Sequence, residues 1–187
     1  MRADSRPESE FAVRRVVESE AEALSKLRLR ALTTDPLSFA STYEKESQYD
    51  REGWSAWARR GATSSEMAIL IAQRSDGRLV GMVGALAEEN VLHLYGMWVD
   101  PDHRRAGLGA RLLDAILAWA ETSHPSLEIR LGVVPLTGSA MRLYQRRGFV
   151  DTGKVEPLPH APEVVWHEMV RSSKRADPPV DGPGAGV

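Results

Sequence analysis

Apolar positions along this chain repeat with two periods, and the switches between them mark out the elements. Val13, Val16 and Val17 make Phe11 to Val17 a short β-branched strand. Behind Glu18-Ser19, Ala23, Leu24, Leu27 and Ala31 recur at helical spacing to about Leu32. Thr34-Asp35-Pro36 opens a second helical region, with Pro36 at the favoured first position and a break near Gly53. Met67 to Gln73 and Leu79 to Ala87 read as strands joined by the turn Ser75-Asp76-Gly77-Arg78. Glu88-Glu89-Asn90 is a further turn, followed by a strand over Val91 to Val99. A helix then runs to about Glu121, burying Leu108, Leu112, Leu113, Ile116, Leu117 and Trp119. Leu127 to Val133 is a strand, Gly138 to Arg147 a helix stopped by Gly148, and Phe149–Gly153 and Glu163–Val170 are the last strands. The order βα(α)βββαβαββ predicts a mixed α/β sheet with helices on its faces.

Composition narrows the class. The chain has 187 residues, 42% hydrophobic and 27% charged, as in a soluble globular protein. This suits a single domain over residues 11–171, with a flexible leader over 1–10 and a Pro/Gly-rich disordered tail over 172–187. No apolar run approaches the ~18 residues of a membrane span, and the first ten residues lack a signal-peptide core. A cytoplasmic location is the expectation. A net charge of −2 offers no general attraction to nucleic acid or anionic membrane. There are no cysteines, which excludes disulfides, thiolate ligands and a cysteine nucleophile. The five histidines show no zinc-helix spacing, so no metal is expected.

The densest chemistry lies in Arg104-Arg105-Ala106-Gly107-Leu108-Gly109, between a strand and a helix. A helix N-terminus leaves N–H groups unpaired and carries partial positive charge, so phosphate oxygens suit it. Glycines admit close backbone approach, and arginines add charge. An ordinary β–α turn also uses glycine. A dinucleotide fingerprint wants G-x-G-x-x-G after the first strand of a βαβ unit, and the third glycine is missing here. The loop therefore points to a diphosphate-bearing cosubstrate.

The stretch LYGMWVDPDHRRAGLGARLLDAILAWA resembles the central motif of the GNAT superfamily of N-acetyltransferases, which reads R/Q-x-x-G-x-G/A at the turn into a helix. Arg104, Gly107 and Gly109 stand at its marked positions. LGVVPLTGSAMRLYQRRGFVDTG resembles the second family element, A-x-x-L-Y-x-x-x-G-F, through Ala140, Leu143, Tyr144, Gly148 and Phe149. Either element alone is suggestive; the two in order are specific. The resemblance covers roughly Phe11 to Arg171.

The resemblance implies a GNAT-type acyl-CoA N-acyltransferase fold with a splayed central sheet. It implies acetyl-CoA as acyl donor, with pyrophosphate on the amides of Arg105, Ala106, Gly107, Leu108, Gly109 and Ala110 and charge from Arg104 and Arg105. The pantetheine would run along Met97, Trp98 and Val99 as an extra strand does. Tyr144 matches the usual general acid, beside Ala140. His93 stands where relatives often carry a glutamate base, and histidine can take a proton near neutral pH. Residues 93, 95 and 97 are expected on one strand face, with Tyr95 anchoring a water chain. Thr137 stands where the family often has asparagine, still able to cap the helix and bond the cofactor. A homodimer is expected on family analogy.

The acceptor is an amine of undetermined kind, a small molecule or a protein N-terminus or lysine. Phe39, Tyr43, Glu44, Trp54 and Trp57 are candidates to line its cleft, with Glu44 and Glu46 suited to a cationic amine; core packing and a solvated helix face explain the same residues. A CoA-binding sensor without turnover, and a transferase of longer acyl groups, are the alternative readings.

Overall fold

The computed structural model describes residues 10–136 and 138–172. The leader over 1–9, the tail over 173–187 and Thr137 lie outside the described residues. Seven strands form one mixed sheet: β1 (Phe11–Arg15), β2 (Met67–Arg74), β3 (Leu79–Glu88), β4 (Val91–Val99), β5 (Glu128–Val133), β6 (Val150–Leu158) and β7 (Ala161–Arg171). Their spatial order is β1-β2-β3-β4-β5-β7-β6. The helices are α1 (Ala21–Thr34), α2 (Tyr43–Glu46), α3 (Arg51–Thr63), α4 (Leu108–Ser123) and α5 (Ser139–Gln145). The element order is the one read from hydrophobic periodicity.

β2 and β3 are apolar on both faces because both faces are covered. Leu70, Ala72, Val83 and Ala85 pack with Leu112, Leu113 and Ile116 of α4. On the opposite face Ile69, Ile71 and Met82 pack with Leu24, Leu27 and Ala31 of α1 and Ala58 of α3. Trp119, expected on the buried stripe of α4, is only half-buried; its ring meets His124 edge-on at 5.4 Å.

Three boundaries differ from the expectation. The second helical region breaks before Asp50, not at Gly53. Asp50 caps α3, accepting a hydrogen bond from the Gly53 N–H at 2.8 Å, so Gly53 sits inside the first turn. Trp54 and Trp57 then fall on α3, away from the short α2. The last two strands are longer than expected and form a hairpin closing at Pro159-His160. Pro157 lies within β6, which is the sheet edge and pairs with β7 on one side only.

The third difference shapes the site. Between β3 and β4 the register moves from Met82↔Trp98 to Gly84↔Tyr95, three residues of β4 against two of β3. This bulge centres on Gly96, whose φ is +63°. An extra residue reverses the facing of everything beyond it. Leu92 and Leu94 face α4, and so do Met97 and Val99 after the bulge. Tyr95 and Trp98 belong to the α1/α3 side. The expectation that 93, 95 and 97 share a face is therefore wrong at Met97, because simple alternation does not survive the bulge.

Candidate functional site

β4 and β5 run parallel and pair over Val91–His93 and Glu128–Arg130. Beyond those pairs the strands diverge, while β4 keeps its bonds to β3 as far as Val99. The edge of β4 that faces β5 is thereby unpaired beyond the His93–Arg130 pair. The gap is a narrow slot of about 110 Å3 lined by Gly96, Met97, Leu131, Val133, Ala140 and Tyr144.

At one end of the slot stands the N-terminus of α4. Its N-cap is Gly107 at φ +75°, with no side chain capping the first turn. Arg105, two residues earlier, also has a left-handed φ of +66°. A non-glycine residue there is strained, and such conformations concentrate where a loop must present its backbone to a ligand. A Cβ built on Gly107 meets nothing within 4 Å, so the space above it is open. Leu108 turns its side chain into the core and offers only its backbone. Gly109 lies beneath Met97 and Val99.

The two arginines part company. Arg105 is exposed. Arg104 is folded back: its Nε donates to the Val99 carbonyl at 2.9 Å and its Nη2 to the Asp35 carboxylate. Asp35 also accepts from the Trp98 indole at 2.6 Å. Arg104 thus ties the loop to the end of α1. Trp98 contributes its side chain to the α1/α3 core and does not line the slot.

Tyr144 reaches the slot from α5 and is buried, its ring edge-on to Phe149 at 5.8 Å. Burial pushes its phenol up to about 12, so it holds its proton throughout the physiological range. His93 is exposed and does not line the slot. It pairs with Leu86 and Arg130 and stands on the Tyr95 side of the sheet, opposite the Tyr144 side. The structure therefore does not bring His93 and Tyr144 together on one face.

Tyr95 borders the slot and also a second cavity, about 370 Å3, on the α1/α3 side. Trp54 and Trp57 line that cavity, joined by Tyr49, Arg28 and Glu46. Phe39 is core, stacked against the Arg28 guanidinium at 4.7 Å, while Tyr43 and Glu44 are exposed and line neither space. Glu46 also lines the cavity and is paired there with Arg28, which donates to its two oxygens at 2.6 and 2.9 Å. Arg28 escaped the reading of the sequence, although an arginine beside Leu24, Leu27 and Ala31 on the apolar stripe of α1 was its signal. No helix among the described residues is long and apolar enough to cross a membrane.

Comparison with known proteins gives the geometry its setting. N-acetyltransferase 8 of Homo sapiens is 38% identical over 86 residues, covering 43% of this chain and 37% of that protein. Mycothiol acetyltransferase of Clavibacter sepedonicus is 36% identical over 85 residues, 45% of this chain and 27% of that one. The chain thus spans well under half the length of these relatives. Among solved structures, the ribosomal-protein-S5-alanine acetyltransferase of Vibrio fischeri superposes with a TM-score of 0.76 at 12% identity, covering 92% of this chain and 98% of that one. YncA of Salmonella typhimurium, solved with acetyl-CoA, gives 0.73 at 15% identity over 93% and 100%. The likeness in these two is one of fold. The sequence model of the acetyltransferase (GNAT) family matches residues 27–149, more than half of the chain, and the chain belongs to that family.

Proposed function

We propose that this protein transfers an acetyl group from acetyl-CoA directly to the primary amine of an acceptor, with residues 11–171 as the working unit. The observation that carries the reading is the parting of β4 from β5 beside an uncapped helix N-terminus. Acetyl-CoA supplies the acetyl group as a thioester: the new C–N bond forms as C–S breaks, the sulfur leaves as thiol, and the amine releases a proton.

Each part of the chain has a task in that exchange. The amides from Ala106 to Ala110 and the charge of Arg105 suit a pyrophosphate. The freed edge of β4 at Met97 and Val99 can hydrogen-bond an extended pantetheine as an added strand, and an N–H there can steady the thioester oxygen. Tyr144, kept protonated by burial, delivers a proton to the departing sulfur. Arg104 acts on the loop by holding it to Asp35. His93, on the opposite side, accepts the amine's proton through solvent at the exposed rim. Acid and base on opposite sides of β4 suit an acceptor that enters from one side while the thiol departs on the other.

The test is CoA thiol release from acetyl-CoA across a broad amine panel, read with a thiol dye. The chain has no cysteine and adds no background. Turnover with one amine class supports the reading. Tight acetyl-CoA binding with no release from any amine points instead to a protein acceptor, another acyl donor or a sensor. No release with protein N-termini, lysine peptides or longer acyl-CoAs either then overturns the reading in favour of the sensor.

A further inference from the structure

Four rings line the cavity of about 370 Å3 on the α1/α3 side. Tyr49, Trp54 and Trp57 form an edge-to-face ladder with centroids 5.7 and 5.6 Å apart, and Tyr95 joins them from β4. Tyr49 is 49% exposed, and Trp57 and Tyr95 are half-buried. Aromatic surface turned toward a cavity instead of a core is surface that an apolar ligand can cover. Gly53 is part of the same wall. It stands in the first turn of α3 and its φ is not left-handed, so the backbone does not call for glycine there. A Cβ built on it meets only Asp50 Oδ1 at 3.3 Å and Tyr49 Cβ at 3.6 Å. Glycine costs a helix stability relative to alanine, and here the missing side chain widens the cavity.

The wall carries one charge of each sign, and the two are spent on each other. Nε and Nη2 of Arg28 donate to the two oxygens of Glu46, and the Phe39 ring lies against the guanidinium. The remaining nitrogen, Nη1, is buried facing Gly96 and is closed to anything in the cavity. An anionic group entering here meets the Glu46 carboxylate, and a cationic one meets the Arg28 guanidinium beside it. An uncharged ring meets neither penalty. Tyr95 lines both this cavity and the slot between β4 and β5, so the two spaces are one side chain apart.

We propose that this cavity seats the uncharged aromatic tail of the acceptor, a primary amine on a short alkyl spacer with no carboxylate and no second amine. The inference rests on the transferase reading above. The ring packs against Trp57 and Trp54, the spacer follows Tyr95, and the amine emerges at the slot that takes the thioester. The acceptor's one charge thereby stays outside the cavity. The new C–N bond forms as C–S breaks, and the products are the N-acetylated arylalkylamine, CoA thiol and one proton.

The experiment compares phenethylamine with three amines: ethylamine, which lacks the ring; L-phenylalanine, which adds a carboxylate; and cadaverine, whose alkyl tail ends in a second charge. Calorimetry in the presence of CoA measures each binding constant, acetyl-CoA is titrated separately, and thiol release gives kcat/KM. Phenethylamine is expected to bind about tenfold or more tightly than each of the others, the effect of burying one ring without burying a charge, with kcat/KM in the same order. Gly53→Leu puts a side chain into the cavity and replaces glycine by a better helix former. It is expected to bring phenethylamine down to the level of ethylamine, and the acetyl-CoA titration reports that the variant folds. Should it not fold, Tyr49→Ala, at a half-exposed position, is expected to weaken phenethylamine about threefold or more relative to ethylamine. Four results would each overturn the inference: phenethylamine bound no more tightly than ethylamine, L-phenylalanine or cadaverine bound as tightly as phenethylamine, phenethylamine bound without thiol release, or its advantage surviving in the variant. If acetyl-CoA still binds in those cases, only the acceptor class falls. If acetyl-CoA does not bind the unaltered protein, the transferase reading falls and takes this one with it.

Discussion

Replacing Gly84 by alanine drives a methyl group into the ring of Tyr95. A Cβ built there lies 2.3 Å from Tyr95 Cζ, 2.5 Å from Cε2 and 2.8 Å from Cε1. All three are well inside the ~3.5 Å of carbon–carbon contact, so the ring must move by more than an ångström. The ring borders the slot on one side and the aromatic cavity on the other, so it gives way only by moving into one of them. Overpacking of this kind costs about 1–3 kcal/mol, and a contact of 2.3 Å puts Gly84→Ala at about 2–3. For a chain of this size that lowers Tm by roughly 5–10 °C. Tyr95→Leu alone removes ring packing and costs about 1–2 kcal/mol. Because leucine vacates the space the methyl needs, G84A/Y95L should be more stable than the sum of the single variants by at least about 1 kcal/mol. Urea unfolding of the four proteins measures that coupling. Additive losses, or a Gly84→Ala protein as stable as the parent, would refute the contact and with it the role of Tyr95 as the partition between slot and aromatic cavity.

Other consequences are equally open to measurement. Tyr144→Phe should lower kcat by about a hundredfold or more and leave the acetyl-CoA Kd unchanged; an unaltered kcat reduces Tyr144 to packing. Burial raises the phenols of Tyr144 and Tyr95 from 10.0 to about 12, so each contributes stability that is intact below pH 10 and lost as pH rises through 12. The full loss is about 2.7 kcal/mol per tyrosine, half of it by pH 11. Urea unfolding between pH 9 and 11 should therefore decline about 1.4 kcal/mol less in Tyr144→Phe than in the parent, and parallel declines would contradict the burial. Gly107→Ala meets no atom but forces alanine into a left-handed φ, costing about 1 kcal/mol of stability. The same variant should weaken acetyl-CoA binding about tenfold in calorimetry, and an unchanged Kd would remove the loop from the binding site.

What the amino-acid sequence determines by itself is local. The turn at Ser75–Arg78, the helical stripe of α4, the glycines before it and the second element around Tyr144 each declare themselves within one or two turns of chain, because backbone sterics and side-chain period act at that range. These suffice for the element order, the family and the expectation of an acetyl-CoA loop. The reversal of facing at Met97 depends on how β4 registers against β3, and no count along β4 alone contains it. β6 runs through Pro157 as the edge strand, with no strand beyond it, a fact about the sheet and not the segment. Arg104 and Asp35, 69 residues apart, meet only once α1 and the loop dock on the same strand end. Arg28, Glu46 and Gly96 come from three segments, and only their assembly leaves one buried N–H facing the bulge. Short-range geometry is written in neighbouring residues; partnership across the fold depends on packing, which the whole chain decides together.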